Sequence, residues 1–165
     1  NDASRVVLAV VVALSIGGAE AWAFGTSSTS KDSDGFKAGE KAVKAEDFVK
    51  AVALFTELVE TEPENADAFN YLAYSQRHLG DRDAAMGNYN TALTLDLDHK
   101  GALEYQGELF LLMGDTAAAE ANLAKLVKVC SRKCVERDSL QAAIERSKDG
   151  QAAWVAPARV ARAEN

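Results

Sequence analysis

Two cysteines and two histidines, Cys130, Cys134, His78 and His99, are the side chains of this chain best suited to redox, metal or acid–base chemistry. Cys130 and Cys134 are separated by Ser131, Arg132 and Lys133. A disulfide between them would close a very small loop, worth about 2 kcal/mol at best on the chain-entropy account, and needs a turn holding the Cα atoms within about 7 Å. Left reduced, the pair could do redox or metal chemistry, since Arg132 and Lys133 favour a thiolate. Three intervening residues, where thioredoxin-like and haem-attachment signatures have two, and no histidine nearby in the sequence favour the structural disulfide Cys130–Cys134 over either alternative. A calcium-loop pattern begins at Ser30, with Asp32, Asp34 and Gly35 at its third, fifth and sixth places. It fails at the first place, Ser30, and at the twelfth, where Lys41 stands in for the required glutamate. The chain contains no glycine-rich phosphate loop, nucleophile elbow or helical pair of metal histidines. The residues therefore point to no enzyme, no cofactor and no metal site.

Binding becomes the expected activity, and charge narrows it. The 165 residues carry 18 Lys plus Arg against 25 Asp plus Glu, a net charge of −7. That balance argues against nucleic acid, whose binders displace phosphate counterions with a basic face. Abundant alanine with only two prolines favours helix throughout.

The first 23 residues read as a signal peptide. Arg5 precedes an apolar stretch from Val6 to Ile16, too short for the roughly 20 residues of a bilayer span. Gly17, Gly18 and then Ala21-Trp22-Ala23 supply a helix break and a small-residue cleavage site after Ala23. A short membrane anchor or a buried helix is the other reading of this stretch. The stretch is not followed by the cysteine that a lipid anchor requires. An exported, periplasmic protein with no stable membrane span after cleavage is expected. Residues 24–34, rich in Ser, Thr and Asp, read as a flexible leader, and residues 148–165, with Pro157 and Trp154, as a disordered tail.

Between these segments the chain repeats every 34 residues. Ala51, Ala85 and Ala119 keep that step, as do Phe55, Tyr89 and Leu123. Leu58, Ala92 and Leu126 form a third column, and Val59, Leu93 and Val127 a fourth. Offsets of four, three and one within each unit put the columns on one face of a helix. A preceding helix in each of the later units carries Phe69, Leu72, Ala73 and Gln76, then Leu103, Gln106, Gly107 and Phe110. Gly80-Asp81 and Gly114-Asp115 combine a left-handed helix stop with the N-cap of the next helix, so helices alternate in direction. Asn65 and Asp98 are the expected caps between units, and Pro63 stops the first. Residues 135–147 supply a capping helix, with Leu140, Ala143 and Ile144 facing inward.

These columns resemble the tetratricopeptide repeat (TPR), with units at 32–65, 66–99 and 100–133, and the layout is similar to small exported bacterial TPR proteins with a C-terminal Cys-x3-Cys. The resemblance implies an all-α solenoid of about three helix-turn-helix repeats plus the capping helix, a TPR domain over 35–147. Gly35 and Glu46 depart from the pattern, which implies a first helix that frays. It implies a scaffold for protein–protein or peptide binding, with the first helices lining a concave groove. By position the groove residues are Asn70, Tyr71, Tyr74 and Arg77, flanked by Asp67 and His78, then Glu104, Tyr105 and Glu108, followed by Leu111 and Leu112. Tyrosines would give contact area, Asn70 would bond an extended backbone and Arg77 would hold a carboxylate. For His78 and His99 packing or solvation is the expected role. The clamp that some TPR domains use for acidic chaperone C-termini is missing, since its places hold Phe36, Glu40, Tyr71, Gly101 and Tyr105. With Glu104 and Glu108 in the groove, the expected partner is neutral or mildly basic. The alternatives to a peptide scaffold are a cysteine-dependent redox or metal-binding periplasmic protein and a self-assembling architectural subunit.

Overall fold

The computed structural model describes residues 33–150. The signal peptide and cleavage site, nearly all of the leader, and the tail beyond Gly150 lie outside the described residues. Seven helices follow one another: α1 Asp34–Lys44, α2 Phe48–Thr61, α3 Ala66–His78, α4 Arg82–Leu95, α5 Lys100–Leu112, α6 Thr116–Val129 and α7 Val135–Lys148. There is no strand among the described residues. None of these helices is long and apolar enough to cross a membrane.

Six of the seven start on a side chain that accepts a hydrogen bond from a first-turn N–H. Ser33, Asp47, Asn65, Asp81, His99 and Asp115 do this for α1 to α6. The leader expected over 24–34 thus gives way to ordered chain at Ser33. Asp98, expected to cap α5, does not; its backbone N–H turns to the Asp96 carboxylate, and the His99 ring accepts from Ala102 N instead, at 3.1 Å. Imidazole reaches as far as a carboxylate here, and the cap shifts by one residue. α7 has no side-chain cap.

The turns within each repeat share one geometry. Gly80 and Gly114 take φ of 85° and 82°, and the next residue's N–H returns to the carbonyl five positions earlier, Asp81 to Gln76 and Asp115 to Phe110. Glu46 adopts the same left-handed conformation, φ 57°, so that Asp47 N reaches Ala42 O at 2.9 Å. Left-handed backbone costs a non-glycine residue about 1–2 kcal/mol. The strain does not fray α1, contrary to the sequence expectation, because Phe36 and Val43 are fully buried against the second and third helices. Gly35 serves the packing too: a Cβ there would meet Leu58 at 3.3 Å.

The repeat columns form the core. Ala51, Ala85 and Ala119 have no exposure, nor do Phe55, Tyr89, Ala92 and Leu126. Small residues at this column let the paired helices approach. Val127 departs from its column and is 58% exposed, since α6 is followed by α7 alone and not by a full repeat. α7 closes the end by laying Leu140 and Ile144 on Leu103 and Leu126, and Leu140 fills the space over Gly107, whose absent Cβ would come within 2.6 Å of it. Cys130 and Cys134 are joined in a disulfide across the α6–α7 turn, Cα atoms 5.7 Å apart. The α7 helix runs through Lys148, one residue beyond the expected end.

Candidate functional site on the face of the first helices

The first helices α1, α3 and α5 lie side by side along one face. Between α3 and α5 the contacts follow an offset of 31 residues. Asn70 stands at Gly101, its Nδ2 3.3 Å from where a Cβ would be. Tyr74 and Tyr105 pack ring to ring, centroids 4.9 Å apart. Arg77 donates to Glu108 at 2.9 Å and to the Tyr105 carbonyl at 3.3 Å. Its guanidinium also lies 5.5 Å from the Tyr74 ring centroid and 5.6 Å from that of Tyr105. A glycine, an aromatic pair and an ion pair thus occupy three successive levels of one seam.

The α1–α3 seam repeats the step. Tyr71 donates to Glu40 at 3.2 Å, stacks on Phe55 at 5.4 Å and meets Phe36 edge-on at 5.4 Å. Burial, with the neighbouring Glu40 carboxylate for Tyr71 and the clustered tyrosines for Tyr105, lifts both hydroxyls well above the ordinary tyrosine value. They remain neutral donors at any physiological pH. His78 stacks on Phe48 at 4.1 Å and leans on Tyr74 at 4.4 Å. Burial, helped by the positive charge of Arg77, lowers its pKa to about 4. The ring is therefore a neutral member of an aromatic cluster.

The structure brings the expected groove residues together, but it uses many of them internally. Arg77, expected to hold a ligand's carboxylate, holds that of Glu108, and both side chains are almost wholly buried. Asn70, Tyr74 and Glu104 are buried as well. Tyr71 and Tyr105 keep partial exposure. Leu111 turns into the core with Leu103 and Leu126, so it lies off the face, while Leu112 packs beside Leu109 and Tyr89. Asn70 Oδ1 is a buried acceptor with no hydrogen-bond partner. His99 fills its structural role, with Nε2 3.2 Å from Asp67. Phe48, the second-helix ring against His78, was not among the expected site residues; its signal was its place just after the Asp47 cap.

No protein-family model matches the chain. Among solved structures it is similar to the P58(IPK) TPR domain, with a TM-score of 0.61 and 22% identity over 70% of this chain. The fold is a TPR-like all-α solenoid. The match covers 32% of the solved chain, so this chain spans about a third of that TPR domain's length. Its seven described helices, in a repeating hairpin arrangement, match that fold.

Proposed function

We propose that this chain is an exported, non-catalytic scaffold that binds a peptide or protein segment along the face of α1, α3 and α5. One observation carries the reading: Tyr71 and Tyr105 are held partly exposed at equivalent places in successive repeats, on a base locked by the Arg77–Glu108 pair. Rigid tyrosines offer broad contact area with little entropy to lose on binding. Glu104 and Glu108, from which a neutral or mildly basic partner was expected, are buried, and Glu108 is paired with Arg77, so they set no charge preference for the ligand. A periplasmic setting agrees with the apolar segment ahead of Ala23 and with a bonded cysteine pair, which an oxidising compartment preserves.

A photoreactive phenylalanine analogue at Tyr71, introduced in cells, tests this reading. A discrete crosslinked partner is expected there, absent when the probe sits at Glu57 on the exposed side of α2 and reduced by Tyr105→Ala. Identical products from both probe positions would place binding elsewhere.

A further inference from the structure

Five of the six side chains that cap helices in this stack are a hydroxyl, an amide or a carboxylate. The sixth, His99, is an imidazole, the one group among these whose ordinary change of charge falls between pH 5 and 8. It stands one 34-residue step after Asn65, the amide that caps α3. The His99 ring holds two elements at once. Nδ1 accepts from Ala102 N at 3.1 Å in the first turn of α5, and Nε2 lies 3.2 Å from Asp67 Oδ1 on α3. A backbone N–H can only donate, so Nδ1 carries the lone pair and the neutral ring keeps its proton on Nε2, where it is given to the Asp67 carboxylate. This pair is a fourth level of the α3–α5 seam, at the opposite end from Arg77 and Glu108.

A second proton, taken from water, has one place to go, and that is Nδ1. There it points at the N–H of Ala102, donor against donor, and the cap is lost. The other bond survives and strengthens, because an imidazolium donates from Nε2 to a carboxylate as an ion pair. Five carboxylates and one ammonium border the cleft at this end of the seam: Glu64 and Asp67 around the start of α3, Asp96 and Asp98 in the turn before α5, Glu136 on α7, and Lys100. A positive ring is held against α3 while it lets go of α5.

We propose that His99 is an acid-released cap: protonation breaks its bond to Ala102 and opens the first turn of α5, while the rest of the α3–α5 seam stays closed. Tyr105 sits one turn further on and keeps its place through the bond from Arg77 to its carbonyl. The chain's second histidine, His78, changes charge only near pH 4, so the interval from pH 7.5 to 5 isolates His99.

The test uses the full chain labelled with nitrogen-15. Ring nitrogen shifts of His99 are expected to show a protonated Nε2 and a bare Nδ1 at pH 7.5, with a second proton on Nδ1 as pH falls to 5. Over the same interval the Ala102 amide, corrected for the intrinsic pH dependence of exchange, should lose protection about threefold to thirtyfold, the worth of a lost N-cap. Ala84 and Ala118, capped by Asp81 and Asp115, should hold theirs. His99→Asn, which installs the residue found at the equivalent place of the preceding repeat, should keep Ala102 equally protected at pH 7.5 and 5. A proton on Nδ1 at pH 7.5, a ring still neutral at pH 5, or an equal loss of protection in His99→Asn would overturn the proposal. So would an Ala102 amide whose protection does not follow the charge of the ring.

Discussion

Arg77 and Glu108 are 3% and 9% exposed, a burial at which a charge without its partner is expensive. Arg77→Met should strand the Glu108 carboxylate and lower stability by about 3–5 kcal/mol, whereas Arg77→Met with Glu108→Leu should recover most of the loss, because buried pairs roughly break even against apolar residues of similar volume. Urea denaturation of the two variants checks this; equal losses would mean that the pair contributes beyond neutralising itself. His78 supplies a pH dependence. Its pKa falls to about 4 when folded, through burial and then Arg77, against the ordinary 6.5 when unfolded. The folded ring resists the proton that the unfolded ring accepts, so its contribution is complete above pH 6.5 and is lost as pH falls from 6.5 to 4. Discounted for the ring's partial exposure, the loss is about 1 kcal/mol. His78→Phe should flatten that part of the stability profile relative to the parent, measured by denaturation at pH 7, 5.5 and 4. The residue types of the face were legible in the sequence, but the partner of Arg77 was not. A 34-residue alignment matches positions between repeats, whereas contact between neighbouring first helices runs at 31, and only that offset sets Arg77 against Glu108.

At the level of elements, helix starts and stops were legible because caps and left-handed turns are local chemistry. Asp81, Asp115, Gly80 and Gly114 announced two hairpins without reference to anything distant. The first hairpin was harder to read, since Glu46 occupies a glycine's conformation and only the long-range burial of Phe36 holds it there. Likewise nothing local distinguishes Asp98 from His99 as the cap of α5. The helix α7 stands apart, for its N-terminus has no accepting side chain and is tied to α6 through Cys134. Arg137 fastens the same turn by donating to the carbonyls of Ser131 and Arg132. Closing so short a loop is worth about 2 kcal/mol, equivalent to roughly thirtyfold in an opening equilibrium. Reduction, or Cys130→Ser with Cys134→Ser, should accelerate amide exchange in α7 by up to that factor and leave α1 to α4 unchanged. Acceleration spread evenly over the chain would show that the disulfide acts on global stability and not on the cap.

For the whole molecule, the arrangement is nearly one-dimensional: each helix packs on its neighbours in the stack, and the buried core divides into three groups around Phe55, Tyr89 and Leu126. In such a stack stability is a sum of unit and interface contributions, and damage at an end need not spread. Phe36 and Leu109 are both wholly buried, one in the terminal helix and one against the central group. Each change to alanine removes a comparable block of apolar contact and should cost about 2–5 kcal/mol at its own site. The consequences should differ. Leu109→Ala weakens the helix that joins the centre to the α7 end and should lower the single unfolding transition of the whole stack. Phe36→Ala should free α1 alone, because α2 and α3 retain their packing on later helices. Residue-resolved amide exchange separates the cases: Phe36→Ala is expected to erase protection in α1 while α4 to α6 keep theirs, and Leu109→Ala to lower protection throughout. Uniform loss of protection in Phe36→Ala would mean that the three groups fold as one unit and not as separable parts of a stack.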